Sequence, residues 1–371
     1  MGTIRYGLIG AGMMGQEHIR NIALLPGTEI AAIADPDDAM RKGAAALCGP
    51  DLRAFAHASD MLEADLCDAY VLAAPNDLHF PLMRAAMATD KPILCEKPLT
   101  TRASECRALM RLAETRAAPV WVAMEYRYMP PVARLIEAVH AGRAGTARMM
   151  SIQEHRFPFL AKVGDWNRFN ARTGGTLVEK CCHFFDLMRL TLRADPVRVY
   201  ASGGADVNHR TESYALGVPD ILDNAFVVVD FEGGARAMLD LCMFAEGAQW
   251  QEQVAVAGDV ARIEARVPGP ARFSRDGRER HSELVTALRA EKREEIEIVE
   301  VDENILRAGD HHGSTFFQHE RFLDMVRRGG APEVTLEDGY WSVLVGEAAE
   351  ESVRSGAAID LPTFASRSCA A

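Results

Sequence analysis

The tripeptide Glu96-Lys97-Pro98 stands directly after the apolar run Pro92-Ile93-Leu94-Cys95. A lysine at the carboxyl end of a buried strand, followed by a proline that fixes its own φ and bars helix continuation, is held in one place. There its ammonium can grip a hydroxyl oxygen and stabilise developing alkoxide character. The chain has six lysines and uses arginine almost everywhere else for positive charge, so a lysine at this point carries information. A second polar group follows at residues 173–186. Past Gly174-Gly175 it reads as a helix with Thr176, Glu179, His183 and Asp186 on one face, and Leu177, Cys181, Phe184 and Met188 on another. An imidazole with a carboxylate one turn away is held in orientation and made more basic, which suits removal of a hydroxyl proton. Either Glu179 or Asp186 can be that carboxylate.

Deprotonating a carbinol as its hydride leaves requires a hydride acceptor, and the start of the chain supplies a site for one. Gly10-Ala11-Gly12-Met13-Met14-Gly15 follows the strand-like Tyr6-Gly7-Leu8-Ile9 and opens a helix. Glycines at this spacing let the chain turn tightly, and the free N–H groups of the helix face a pyrophosphate. Asp35 ends the next strand, at residues 30–34, where a carboxylate accepts the ribose hydroxyls and meets a 2′-phosphate as a like charge. NAD is therefore expected over NADP, with Arg41 and Lys42 the cations that could turn toward a phosphate. After a further strand, Pro75-Asn76 sits at the edge where ligands of such sheets bind; Asn76 either caps the next helix or holds the nicotinamide ribose. His79 alone reads as a helix-start residue. The expected cofactor set is Gly10, Gly12, Met13, Met14, Gly15, Asp35, Pro75, Asn76, His79, Glu96 and Lys97.

These residues need a scaffold. Across residues 4–128, apolar strand-like runs alternate with helical patterns, the βαβ rhythm of a doubly wound parallel sheet. From residue 129 to 371 the rhythm changes to longer strands joined by short turns. Residues 226–231 and 235–244 flank Glu232-Gly233-Gly234, and 253–257 and 261–267 flank Gly258-Asp259; both read as hairpins. The expected fold is α/β throughout, a Rossmann domain at 1–128 and a second α/β domain at 129–371 built on a large, mainly antiparallel open sheet. Residues 157–176 form a long polar loop of the kind that serves function, 202–220 a surface excursion, and helices are expected at 313–328 and 337–355.

Composition narrows the partners. A net charge of −12 without a basic stripe argues against nucleic acid or an anionic membrane surface, although Arg127, Arg156, Arg168 and Arg172 can still build a local positive pocket for a small anion. No run approaches the roughly 20 apolar residues of a membrane span, and no basic leader precedes the first strand, so a soluble cytoplasmic protein is expected. The eight cysteines, Cys369 among them, read as reduced thiols. No metal is expected, because the adjacent Cys181 and Cys182 diverge by about 100° on a helix and cannot easily share an ion with His183 or His311-His312.

The glycine fingerprint, Pro75-Asn76 with His79, Glu96-Lys97-Pro98 and the Gly-Gly helix bearing Glu179, His183 and Asp186 together resemble the Gfo/Idh/MocA oxidoreductases. The resemblance spans both domains. It implies a nicotinamide cofactor, a sugar or cyclitol substrate, an open sheet that supports a dimer or tetramer, Lys97 as the catalytic lysine and His183 as the proton-transfer histidine. Glu179 falls where the family usually has aspartate, and Lys180 and Cys181 beside it also depart from the pattern. By the same resemblance, Asp165-Trp166-Asn167-Arg168 is the tryptophan-bearing substrate loop and Glu125-Tyr126-Arg127-Tyr128 the segment entering the sugar site. Substrate is thus expected against Lys97, Tyr126, Arg127, Trp166, Arg168, Glu179, Lys180 and His183. The leading expectation is oxidation of a secondary hydroxyl with NAD. The alternative is a redox-neutral NAD-dependent glycoside hydrolase working by transient oxidation, elimination and re-reduction. A nucleotide sensor would need neither Lys97 nor His183.

Overall fold

The computed structural model describes residues 2–273, 276–278 and 280–367; Cys369 lies outside them. The first sheet is built from β1 (Ile4–Ile9), β2 (Thr28–Ala34), β3 (Arg53–Phe55), β4 (Ala69–Leu72), β5 (Ile93–Glu96) and β6 (Val120–Ala123). Their order is β3-β2-β1-β4-β5-β6 and every pair is parallel. β4, β5 and β6 are buried along their whole length, which is why they read as unbroken apolar runs. Helices α1 (Met13–Ala23), α2 (Asp38–Ala45), α3 (Ala58–Glu63), α4 (His79–Ala86) and α5 (Ala103–Ala113) connect them. Strand order reverses between β1 and β4, so the carboxyl ends of β1, β2, β4 and β5 open onto one crevice.

After α6 (Pro130–His140), a nine-stranded sheet takes over. It comprises β7 (Ala147–His155), β8 (Pro196–Gly204), β9 (Asn224–Phe231), β10 (Arg236–Cys242), β11 (Glu252–Gly258), β12 (Ala261–Val267), β13 (Ser282–Leu288), β14 (Arg293–Val299) and β15 (Ile359–Asp360). Its order is β14-β13-β12-β11-β7-β10-β9-β8-β15, antiparallel except where β10 runs beside β7. β9 and β10 form a hairpin across Glu232-Gly233-Gly234, where both glycines hold positive φ, and β11 and β12 form the second expected hairpin. Strict alternation on β9 buries Ala225, Val227, Val229 and Phe231 and leaves Phe226 and Val228 outward. In register with Val228 lie Tyr200 of β8 and Met238 of β10, also outward, so this face carries an exposed apolar patch bordered by the Arg198–Asp230 pair.

The other face carries helices. Between β7 and β8 the chain makes α7 (Asn170–Thr173), α8 (Thr176–Glu179) and α9 (Cys182–Leu192), and after β14 come α10 (Glu303–Ala308), α11 (Ser314–Arg328), α12 (Leu336–Ser355) and α13 (Leu361–Arg367). A reciprocal capping box between Thr335 and Asp338 starts α12. This late segment returns to the first sheet: Phe322 of α11 meets Tyr6 and Trp121, and Val122 N–H donates to Val334 O. α12 runs against α8 closely enough that a Cβ on Gly346 would stand 2.7 Å from Leu177 O. Among the described residues no helix is long and apolar enough to cross a membrane.

Candidate active site

A cavity of about 670 Å³ follows the crevice from the glycine turn to Lys97. Gly10 has φ +98°, and a Cβ on it would lie 2.5 Å from Ala73 O. Gly15, inside α1, would put a Cβ 2.2 Å from Gly10 O, so helix and turn touch backbone to backbone. Gly12 differs: its Cβ would meet nothing, because it faces the cavity. Met13, Met14, Pro75 and Asn76 also line the space.

Asp35 stands at the far rim. Its Oδ2 accepts from Ala11 N–H at 2.7 Å and its Oδ1 from Asp37 N–H at 2.8 Å, which aims the carboxylate across the turn. Arg41 donates to Asp35 O at 2.6 Å and pairs with Asp38, and Lys42 pairs with Asp38 at 2.6 Å. Asn76 begins a short 3-10 turn, makes no capping bond to it, and leaves a buried Nδ2 without a partner. His79 does not line the cavity. Its ring nitrogens reach Pro98 O at 2.7 Å and Ala74 O at 2.9 Å, which ties the turns after β5 and β4 together. The Lys97-Pro98 peptide is cis.

At the other end, Glu96 and Lys97 line the cavity together with Lys162, Trp166 and Glu179. Glu96 is fully buried. Burial pushes its carboxyl pKa up, but His18, 3.0 Å from Oε1, together with Lys97 and His79 more than reverses this and leaves it below the ordinary value. For Lys97, burial lowers the pKa, and the field of Cys182, Glu125, Glu96 and Glu179 outweighs it, so the ammonium stays charged. Its Nζ donates to Glu179 O at 3.3 Å. Lys162 holds Glu179 Oε1 loosely, at 3.7 Å, and lies 4.6 Å over the Trp166 ring. Glu179 Oε2 is buried without a partner.

That bond to Lys97 explains one departure from the expected helix. Residues 176–192 do not run continuously: α8 ends at Glu179 and α9 begins at Cys182. The Glu179 carbonyl serves Lys97 Nζ and Cys182 Sγ, at 3.3 Å each, in place of an intrahelical amide. Glu179 and His183 therefore sit on separate short helices and make no contact with each other's polar atoms. His183 is 1% exposed and does not line the cavity; its Nε2 lies 3.4 Å from Glu125 Oε1, and its Nδ1 has no partner. Tyr126 stacks on it at 4.1 Å, 5° from parallel. Burial first, then Lys97, Lys180, His311 and Arg156, hold the imidazole well below its ordinary pKa, so it is neutral at pH 7.

Other expectations need correction. Asp186 does not orient His183, because Arg127 grips it with Nε at 2.6 Å and Nη2 at 2.5 Å. Arg127 also donates to Glu333 O and approaches Asp338 at 3.3 Å, so it braces β6 against the start of α12 and does not face the cavity. Arg168 is buried against Glu212 at 2.9 Å, Arg172 pairs with Asp77 at 2.5 Å, and Arg156 lies 3.4 Å from Glu154. Each of the four arginines has a carboxylate, and the positive pocket is not formed. Tyr126 and Lys180 stand behind the cavity wall in a buried network: Lys180 Nζ donates to Tyr126 OH at 2.6 Å and pairs with Glu154 at 2.8 Å, and Tyr126 OH donates to Glu252 at 3.3 Å.

Two contributors had no signal at their own positions. Glu125 belongs to no motif beyond the segment 125–128. Glu350 of α12 accepts from Leu177 N–H at 2.9 Å and so caps α8; Gly175, φ +100°, makes room, since its Cβ would meet Glu350 Oε1 at 2.3 Å. Among the described residues no cluster of three or more histidines, cysteines or carboxylates is arranged to hold a metal.

The known family that carries both halves of this arrangement is an oxidoreductase family. Its NAD-binding Rossmann fold matches residues 4–124 and its C-terminal alpha/beta domain residues 136–361. The chain belongs to the Gfo/Idh/MocA family. Within it, the rhizopine catabolism protein MocA of Rhizobium meliloti is 34% identical over 196 residues, 53% of this chain and 59% of that protein. The inositol 2-dehydrogenase of Rhizobium meliloti (strain 1021) is 28% identical over 238 residues, 64% of this chain and 68% of that one. The match thus spans about three fifths of the length of the first relative. Levoglucosan dehydrogenase in complex with NADH superposes with a TM-score of 0.80 at 19% identity, covering 97% of this chain and 99% of that one, a likeness of fold. NAD is the cofactor of this Gfo/Idh/MocA protein, and the open Gly12 cradle, the carboxylate at Asp35 and the unpartnered Asn76 amide fit it.

Proposed function

We propose that the protein oxidises a secondary hydroxyl of a sugar, sugar derivative or cyclitol. The observation that carries this reading is a charged, half-buried Lys97 lining the dinucleotide cavity beside Glu96 and Glu179, its Nζ on the Glu179 carbonyl. Bound NAD supplies the hydride acceptor. Lys97 holds the carbinol oxygen and stabilises its growing negative charge, an interaction worth roughly 10²–10³ in rate when a single such donor is removed. His183 takes the hydroxyl proton, a task that suits a neutral imidazole with a free nitrogen. Glu179 Oε2, unpartnered and at the cavity wall, accepts from a neighbouring hydroxyl, and Trp166 offers a ring face to the sugar's C–H surface.

Asp35 sets the preference for NAD over NADP, supported by Arg41 and Lys42 both being committed to Asp38. The proposal includes a cytoplasmic homo-oligomer joined through the open face around Tyr200, Val228 and Met238. Val228→Asp then shifts the elution volume toward a monomer. Incubation with NAD and a panel of polyols, pyranoses, cyclitols and aryl glycosides tests the activity: reduced nicotinamide accumulates with a polyol or pyranose and no aglycone appears. Aglycone without net reduced nicotinamide would instead establish the redox-neutral glycosidase, which no feature of the site favours.

A further inference from the structure

Glu125 and His183 are both 1% exposed, come from the turn after β6 and from α9, and face each other at 3.4 Å. Neither Glu125 oxygen has a hydrogen-bond partner, and of the imidazole only Nδ1 is left without any approach. A buried carboxyl with no hydrogen-bond partner is costly, and its persistence calls for an explanation. Glu179, the carboxylate expected to serve the histidine, is engaged by Lys162, and Asp186 by Arg127. Tyr126, stacked flat on the ring, leaves the imidazole freedom only within its own plane, and Glu125 lies at the Nε2 edge.

We propose that Glu125 is the positioning residue of the proton-transfer histidine, fixing which ring nitrogen carries the proton. The inference rests on the dehydrogenase reading above. With Glu125 ionised, Nε2–H donates to Oε1 and the Nδ1 lone pair is free as the base. The substrate O–H bond breaks, its proton goes to Nδ1, and its electron pair becomes the carbonyl π bond as hydride leaves carbon for the nicotinamide; the imidazolium is then neutralised by Glu125. With Glu125 protonated, its O–H donates to Nε2, Nδ1 bears the hydrogen, and the same pair is set to protonate a carbonyl oxygen in reduction. Glu125 thus selects the direction for which the histidine is prepared. Its environment suits such a switch: burial and Glu96 push its pKa up to about 7, while His311 and Lys97 oppose them. The groups bearing on His183 are Lys97, Lys180, His311 and Arg156.

The test uses Glu125→Gln, Glu125→Asp and Glu179→Gln, read in two ways. Nitrogen-15 spectra of histidine-labelled protein with and without NAD report the His183 tautomer directly, whatever the substrate. In the wild type the tautomer changes between pH 6 and 8; in Glu125→Gln it is fixed across that range, and in Glu179→Gln it still changes. Kinetically, Glu125→Gln lowers kcat by roughly 10²-fold or more, leaves KM and NAD affinity within about threefold, and loses the inflection of kcat near pH 7, while Glu125→Asp recovers part of both. An unaltered tautomer and pH profile in Glu125→Gln, with the change appearing in Glu179→Gln, overturns the assignment. Absence of turnover in the wild type would instead sink the dehydrogenase reading, and the spectra would still decide the pairing.

Discussion

The two ends of the cavity are built by different means. At the dinucleotide end, position comes from backbone: Gly10 and Gly15 leave no room for a side chain, and Asp35 is aimed by the amides of Ala11 and Asp37. At the catalytic end, position comes from side chains that meet across the molecule: Lys97 with the Glu179 carbonyl, Lys162 with the Glu179 carboxylate, His183 with Glu125. A backbone-built site is stiff and announces itself in a short motif. One assembled from distant side chains can be retuned residue by residue, which is how a family keeps its cofactor and changes its substrate.

The contrast is breakable by mutation. The largest effect is expected at Lys97: Lys97→Ala lowers kcat by about 10³-fold, with NAD affinity by fluorescence titration within about twofold. Equal loss of both would mean that the two ends are not separable. Next, Gly15→Ala forces a Cβ against Gly10 O, so NAD affinity falls by about 100-fold and the melting temperature drops as well. Gly12→Ala sharpens the point, because its Cβ meets no protein atom: NAD weakens while thermal stability holds. Then Asp35→Ser should erase about tenfold of the NAD preference in kcat/KM, about 1.4 kcal/mol, chiefly by admitting NADP. Unchanged discrimination would refute the role of Asp35.

The smallest effect concerns stability and pH. Burial pushes Glu350 up to about 7 from 4.5, so the folded state binds its proton more tightly than the unfolded chain. The stability this supplies is full below pH 4.5 and drains as pH rises through 7. Glu350→Gln keeps an acceptor for Leu177 N–H without the buried charge, and at pH 8 it should raise stability by ~2 kcal/mol, seen as a few degrees in Tm. Near pH 4.5 the gain should vanish; a gain independent of pH would place the cause elsewhere.

What the sequence revealed follows the same division. Strand ends, the glycine turn and Asp35 are local consequences of short segments, and all were readable. The helix across residues 176–192 was misread because its break depends on Lys97, 82 positions away, claiming a carbonyl that periodicity assigns to the helix itself. Arg127 was expected at the substrate by resemblance of its segment; Asp186, 59 residues on, claims its guanidinium instead. Glu125 carried no pattern of its own, since its relation to His183 exists only once the first sheet and α9 are packed. Five of the nine strands in the second sheet, β7, β8, β13, β14 and β15, have no counterpart in the sequence reading for a related reason: half-buried alternation is a weaker pattern than the unbroken apolar runs of β4 and β5.

The cap that Glu350 places on α8 spans 173 residues of sequence. The first sheet also depends on a late segment, since Phe322 of α11 packs on Tyr6 and Trp121. The segment presenting Glu179 to Lys97 must wait for the penultimate helix. Both ends of the cavity are thus completed late in synthesis, and a chain ending just before residue 350 should lose the cap on α8 and with it the chemistry.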